Sequence, residues 1–254
     1  MMRRFLEGKA ALVTAGSRNL GAAIAEALAE RGAAVAVNYL SSESGARAVV
    51  DRLDEFGSGH AAVRGDAGTP DGMRSLVAAA GRALGDRPIQ VLVNNHGPFS
   101  MTPFAEMPPE EFDRVWDANV KSAYVAVGEV VPAMRAAGWG RIVNVSAGSA
   151  YLRNHSIYTL AKAALVTFTE SLAVELGPEI TVNAVAPGQI AESAEDIAEF
   201  DPSFVERAVE ATPIGRLVTR GEVAAIVAEL CGPLFDAVSG VTIPIDGGWH
   251  LPRF

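Results

Sequence analysis

Short, wholly apolar runs alternate with segments of helical periodicity along nearly the whole chain, and few architectures can accommodate that rhythm. Ala10–Val13 is an apolar run closed by Gly16; Leu20–Arg31 then places Leu20, Ala23, Ile24, Ala27 and Leu28 on one helical face before Gly32 stops it. The pattern predicts strands at Ala33–Tyr39, Ala61–Arg64 and Ile89–Val93, separated by helices at Glu43–Phe56 and Pro70–Leu84. Further on, Glu110–Ala137 reads as one long helix around Phe112, Val115, Trp116 and Val120, kinked near Pro132. Ile142–Val145, a helix at Ile157–Leu176, Ile180–Val185 and Val241–Ile245 complete the series. Strands apolar throughout must be covered on both faces, which crossover helices do when the strands are parallel. A single α/β domain over residues 1–254, a doubly wound parallel sheet of about seven strands with helices on both faces, is therefore expected.

Two segments interrupt the rhythm. Gly188–Thr212 is long, acidic and weakly periodic where α/β connections are usually short. It follows the C-terminal end of a strand, where ligands bind in such folds, so residues 188–212 are read as a substrate lid, with a plain surface helix pair as the alternative. Gly97–Pro109, carrying Phe99, Met101 and Phe104, also follows a strand end. With 21 Lys+Arg against 30 Asp+Glu, a net charge of −9 argues against nucleic acid as a partner. The lone cysteine, Cys231, can form neither an internal disulfide nor a thiolate cage. No run reaches the roughly 20 apolar residues of a membrane span, and Glu7 and Lys9 break any apolar stretch behind Arg3 and Arg4. No membrane association and a cytoplasmic location are expected.

After the first strand comes Thr14-Ala15-Gly16-Ser17-Arg18-Asn19-Leu20-Gly21. A turn opening a helix here aims free N–H groups above the sheet, a natural pyrophosphate site. The G-x-G-x-x-G signature is absent, so on its own the loop reads equally well as a tight turn without a ligand. It gains meaning from Asn94-Asn95-His96-Gly97, Asn119-Val120-Lys121, Tyr158-Thr159-Leu160-Ala161-Lys162, Pro187-Gly188 and Asp246-Gly247-Gly248, which follow in order. Together these resemble the motifs of the short-chain dehydrogenases/reductases over essentially the whole chain. The resemblance implies a Rossmann fold, a nicotinamide cofactor and a homo-oligomer, tetramer or dimer, built on the helices at 110–137 and 157–176. It assigns the cofactor to Thr14, Gly16, Ser17, Arg18, Leu20, Gly21, Asn38, Ser41, Asp66, Ala67, Asn95, Gly97, Tyr158, Lys162, Pro187, Gly188 and Ile190. Ala15 and Asn19 stand where the family has glycine, and Glu192 where many relatives have a threonine. Val174 occupies a place where reductases of acyl carrier protein substrates tend to have arginine.

Cofactor choice turns on the end of the second strand, where an acid would hold a ribose 2′-hydroxyl. Val37-Asn38-Tyr39-Leu40-Ser41-Ser42 has none, and Arg18, Ser41 and Ser42 could meet a 2′-phosphate, so NADP(H) is favoured over NAD(H). Tyr158 and Lys162 share a helix face, and an ammonium beside a phenol favours its ionised form. The resemblance makes Tyr158 the proton donor to a carbonyl, Lys162 its partner and Asn119 the support of a relay. The family's substrate-binding serine falls on Ala147; Ser146 is the preferred substitute, with Ser149 or no serine as alternatives. His96 and His155 lie near this gap, each able to serve the substrate or simply to pack. Phe99, Met101, Phe104, Tyr151 and Leu152 are candidates for an apolar substrate wall. His60 and His250 show no ligand spacing, so no metal is expected. The expected activity is NADP(H)-dependent hydride transfer between nicotinamide and a small-molecule ketone or secondary alcohol. A non-redox dehydratase or isomerase, or a silent NADP-binding regulator, are the alternatives.

Overall fold

The structure, a computed structural model, describes residues 4–100, 102–151, 156–199 and 201–251. In chain order the elements are β1 (Ala10–Val13), α1 (Asn19–Glu30), β2 (Ala34–Tyr39), α2 (Glu43–Leu53), β3 (Ala61–Arg64), α3 (Pro70–Ala83), β4 (Ile89–Asn94), α4 (Pro109–Trp116), α5 (Ser122–Ala136) and β5 (Gly140–Val145). Then come α6 (Ile157–Leu176), β6 (Ile180–Pro187), α7 (Ala191–Ala198), α8 (Phe204–Glu210), α9 (Arg220–Leu230) and β7 (Thr242–Ile245). All seven strands are parallel, in the order β3-β2-β1-β4-β5-β6-β7. Every residue of β1, β2, β5 and β6 is buried, as continuous apolar runs require. One core joins Val13, Val35 and Val143 to Ile24, Val49 and Val227 of α1, α2 and α9; a second joins Leu12, Leu92 and Ile142 to Leu76, Val130 and Leu172 of α3, α5 and α6. The sheet is thus wound on both faces. Because β1 lies beside β4, a crevice opens at their C-terminal ends, the usual ligand position in such sheets.

Four departures from the expected elements matter. The predicted single helix over 110–137 is divided: α4 gives way to a π-helical turn at Asp117–Lys121 before α5 begins, and α5 runs on through Pro132. The displaced register is held by Asn119, whose Nδ2 donates to the carbonyls of Val115 (2.9 Å) and Pro98 (3.1 Å). Residues 188–212 form the helix pair α7 and α8, joined through Ala194, Ala208 and Leu217. A helix the alternation did not predict, α9, starts at a capping box in which Thr219 Oγ1 accepts from the Glu222 N–H while Glu222 accepts from the Thr219 N–H. Finally, α6 is by length and composition apolar enough to cross a membrane, with a mean hydropathy of 1.3 over the window tested. Here it lies against the sheet, burying Lys162, Leu165, Thr169 and Leu172.

Candidate active site

The crevice is built around Thr14. Its Oγ1 accepts from the main-chain N–H groups of Asn95 and His96, both at 2.9 Å, and donates to Val93 O at 3.3 Å. Asn95 Nδ2 returns to Thr14 O at 3.0 Å. On the other side, Asn38 Oδ1 accepts from Ala15 N at 2.9 Å while its Nδ2 donates to Gly65 O at 3.0 Å. These three side chains clamp the ends of β1, β2 and β4 to one another, so the Asn38 carboxamide is engaged within the protein.

Ala15 and Asn19 both have φ of +51°, the left-handed region that favours glycine. The loop keeps a glycine-type backbone without the glycines. Gly21 is fixed differently: a Cβ there would overlap Ala15 O and lie 2.8 Å from Asn95 Nδ2. The first turn of α1 carries no acidic residue, and Arg18 at its N-cap makes no side-chain cap, which leaves N–H groups open to an anion. Gly45, in the first turn of α2, sits between Ser17 O and Ser42 Oγ and so brings the loop to the Ser41-Ser42 corner. Arg18 is exposed beside it, on a groove that also includes Glu192 and Arg220. Asp66 Oδ1 accepts from Gly68 N at 2.9 Å, and Ala67 is buried. Beyond β6, Gly188 N donates to Ile245 O at 2.9 Å, and Ile190 pairs with Val218. Glu192, in α7, accepts from Arg220 N at 3.2 Å and thereby latches that helix to the start of α9.

Tyr158 and Lys162 emerge from the first turns of α6, which Ser156 caps through Thr159 N. Asn144 ties the helix to the sheet, accepting from Asn94 Nδ2 and donating to Thr169 Oγ1, both at 2.9 Å. Lys162 Nζ lies 5.5 Å from the Tyr158 ring centroid and donates to Val145 O at 2.8 Å. A Cβ on Gly97 would overlap Asn119 Oδ1 and lie 2.8 Å from Lys162 Nζ, so Gly97, Asn119 and Lys162 meet at one point. Asn119 Oδ1 is buried with no partner among the described residues. Burial brings Lys162 down to about 8 and pushes Tyr158 up to about 12. The expectation that Lys162 lowers the tyrosine is therefore not met: burial disfavours both charged forms, raising the tyrosine and lowering the lysine.

Ser146 follows β5, and its hydroxyl donates to Lys162 O at 2.7 Å. Ser149, in a 3₁₀ turn at Gly148–Tyr151, has a buried hydroxyl with no partner among the described residues. His96 is partly buried; burial, reinforced by Lys162 and opposed by Asp66, lowers its pKa. Phe99 meets Tyr158 edge-on, ring centroids 4.9 Å apart, while Phe104 and Tyr151 are exposed. Met101, Leu152 and His155 lie outside the described residues. One expectation is corrected: His250, read as having no spacing to a carboxylate, pairs with the buried Asp246 four residues before it.

A crevice at the switch point, an open helix N-terminus below it and a half-buried tyrosine beside a buried lysine are the arrangement expected of a dinucleotide-binding α/β enzyme. Residues 14–250 match a family described as Enoyl-(Acyl carrier protein) reductase. Versicolorin reductase 1 of Aspergillus parasiticus is 36% identical, the match covering 96% of this chain and 97% of that one. Among solved structures, a metagenomic blue fluorescent protein in complex with NADPH is 34% identical, covering 96% and 99% of the two chains, with a TM-score of 0.85. A 7α-hydroxysteroid dehydrogenase complexed with NADH and 7-oxo glycochenodeoxycholic acid is 30% identical, covering 97% and 96%, at 0.89. The chain belongs to the short-chain dehydrogenase/reductase family of oxidoreductases.

Proposed function

We propose that the protein is an NADP(H)-dependent carbonyl reductase that interconverts an apolar, aromatic-sized ketone and its secondary alcohol. The observation that carries this reading is the half-buried Tyr158 beside the buried Lys162, whose amine meets Gly97 and Asn119. The first turn of α1 and the residues from Thr14 to Gly21 would hold the pyrophosphate, and Arg18, Ser41 and Ser42 the 2′-phosphate, since the end of β2 offers no acid to repel it. Bound nicotinamide would supply or accept the hydride. Tyr158, with its pKa raised to about 12, keeps its proton near neutrality and delivers it from Oη to the carbonyl oxygen. Lys162, held near Tyr158 by the Val145 carbonyl, supplies the positive charge that steadies the phenolate left when the proton is given up. Ser149 rather than Ser146 positions the substrate oxygen, because the Ser146 hydroxyl is committed to Lys162 O.

Phe99, Phe104 and Tyr151 would form the apolar wall, which suits an aromatic substrate. Helices α7 and α8, over residues 188–212, would close as a lid hinged at the Glu192–Arg220 latch. Exposed Tyr124, Leu160 and Val174 on α5 and α6 support a homo-oligomer formed through these helices, in the cytoplasm.

The test is NADPH oxidation followed by absorbance against a panel of aromatic ketones. Tyr158→Phe is expected to lower turnover by about 10²- to 10⁴-fold, and Ser149→Ala to lower it more than Ser146→Ala does. Turnover unchanged in Tyr158→Phe would overturn the mechanism, and tight NADPH binding with no hydride transfer would favour a non-redox enzyme.

A further inference from the structure

The parallel sheet delivers β7 to the same edge as β5 and β6, so residues 246–251 emerge among the site loops. Contacts place them closely. A Cβ on Gly148 would lie 3.2 Å from Pro187 O and 3.4 Å from the Trp249 ring, and Gly188 packs against Asp246. The 3₁₀ turn, the exit of β6 and the C-terminal segment therefore converge, and the Tyr151 ring lies 5.4 Å from that of His250.

Asp246 is 4% exposed, and its carboxylate receives Gly248 N at 2.9 Å, His250 N at 3.1 Å and His250 Nδ1 at 2.6 Å. The two main-chain bonds already close the turn, so the imidazole is not needed for that purpose. Its bond to an acceptor-only carboxylate does something else: in the neutral imidazole it places the ring proton on Nδ1 and leaves Nε2 as the acceptor. Nε2 has no hydrogen-bond partner among the described residues, and the side chain keeps 21% of its surface open. An oriented acceptor beside an aromatic ring, at the rim of an apolar wall, matches a hydroxyl carried on an aromatic framework.

We infer that His250, oriented by Asp246, accepts a hydrogen bond from a hydroxyl on the substrate remote from its reacting carbonyl, and so selects hydroxylated aromatic ketones. This rests on the carbonyl-reductase reading, with His250 as a specificity-determining residue and Asp246 as its positioning residue. The test avoids turnover. Calorimetric titration at pH 7 of the NADP⁺-saturated full chain compares 2-naphthol with 2-methoxynaphthalene, which cannot donate. About a 5- to 10-fold preference for 2-naphthol is expected, the scale of one neutral hydrogen bond. His250→Phe is expected to erase the preference while leaving the methoxy compound's affinity unchanged, and His250→Gln, which keeps an acceptor, to restore part of it. A preference undiminished in His250→Phe, equal affinities in the wild type, or no binding of either probe would overturn the inference. Failure of the underlying reading registers separately, as absence of ketone-dependent NADPH oxidation.

Discussion

Replacing Lys162 with methionine isolates the energetic tension at the site. The lysine is buried and keeps its amine on Val145 O at 2.8 Å, and burial lowers its pKa from 10.5 to about 8. At about 1.4 kcal/mol per pKa unit, this corresponds to about 3 kcal/mol of native stability withheld while the group is charged. Below pH 8 both folded and unfolded chains carry the proton, so the full penalty applies. Between pH 8 and 10.5 the unfolded chain binds more protons than the native one, and stability rises with pH; above 10.5 the penalty is gone. Lys162→Met escapes the penalty but leaves the Val145 carbonyl unpaired, a loss of about 1–3 kcal/mol. At pH 7 the variant is therefore expected to match the wild type or exceed it by up to about 2 kcal/mol, while losing activity. From pH 7 to 10.5 the wild type then gains about 3 kcal/mol on the variant. Urea unfolding at fixed protein concentration, followed through the three tryptophans, measures both values across this range. A difference between the two proteins that stays constant with pH would refute the assignment of the penalty to Lys162.

Two further outcomes follow from the loop. Arg18→Glu places an acid beside the Ser41-Ser42 corner, and the ratio of kcat/KM for NADPH to that for NADH is expected to fall at least about tenfold, one charge contact's worth; an unchanged ratio would remove Arg18 from cofactor choice. Ala15, at φ +51°, carries about 1 kcal/mol of left-handed strain, so Ala15→Gly is expected to raise stability by about 0.5 kcal/mol and Ala15→Val to lower it by about 2 kcal/mol. Thermal unfolding of the pair checks the opposite signs.

The alternation was legible because strands buried on both faces have no polar side to blur them: β1 falls where its apolar run predicts, and β2 within a residue of it. The π-helical turn was not, because the residues from Asp117 to Lys121 keep an ordinary helical pattern and the visible breaker, Pro132, drew attention downstream. Helix α9 had a signal in Thr219 and Glu222, but Val223, Ala224, Val227 and Ala228 look like any apolar stretch. Helices α7 and α8 were hard to read because each buries little beyond one alanine, Ala194 or Ala208. Within the candidate site, motif order nominates the residues, whereas the commitment of Ser146 to a carbonyl sixteen residues ahead depends on where α6 docks.

Several local rules are broken together at one end of the sheet, although at the other end buried polar atoms of His60, Arg141 and Thr181 also lack partners among the described residues. The left-handed Ala15 and Asn19, the buried charge of Lys162, the orphaned oxygens of Asn119 and Ser149 and the π-helical turn all gather around the C-terminal ends of the strands. At the opposite end, Trp139 packs between Lys9 and Arg141, with the cations 4.2 and 4.4 Å from its ring, and Arg141 pairs with Asp236. The remaining left-handed residue, Asp86, is of a type that tolerates the conformation, in the turn after α3. Strain that persists in a folded chain must be over-determined by its surroundings. Here the surroundings are the Thr14, Asn38 and Asn95 clamps, which hold the loop in its glycine-type shape although two of its glycines are gone.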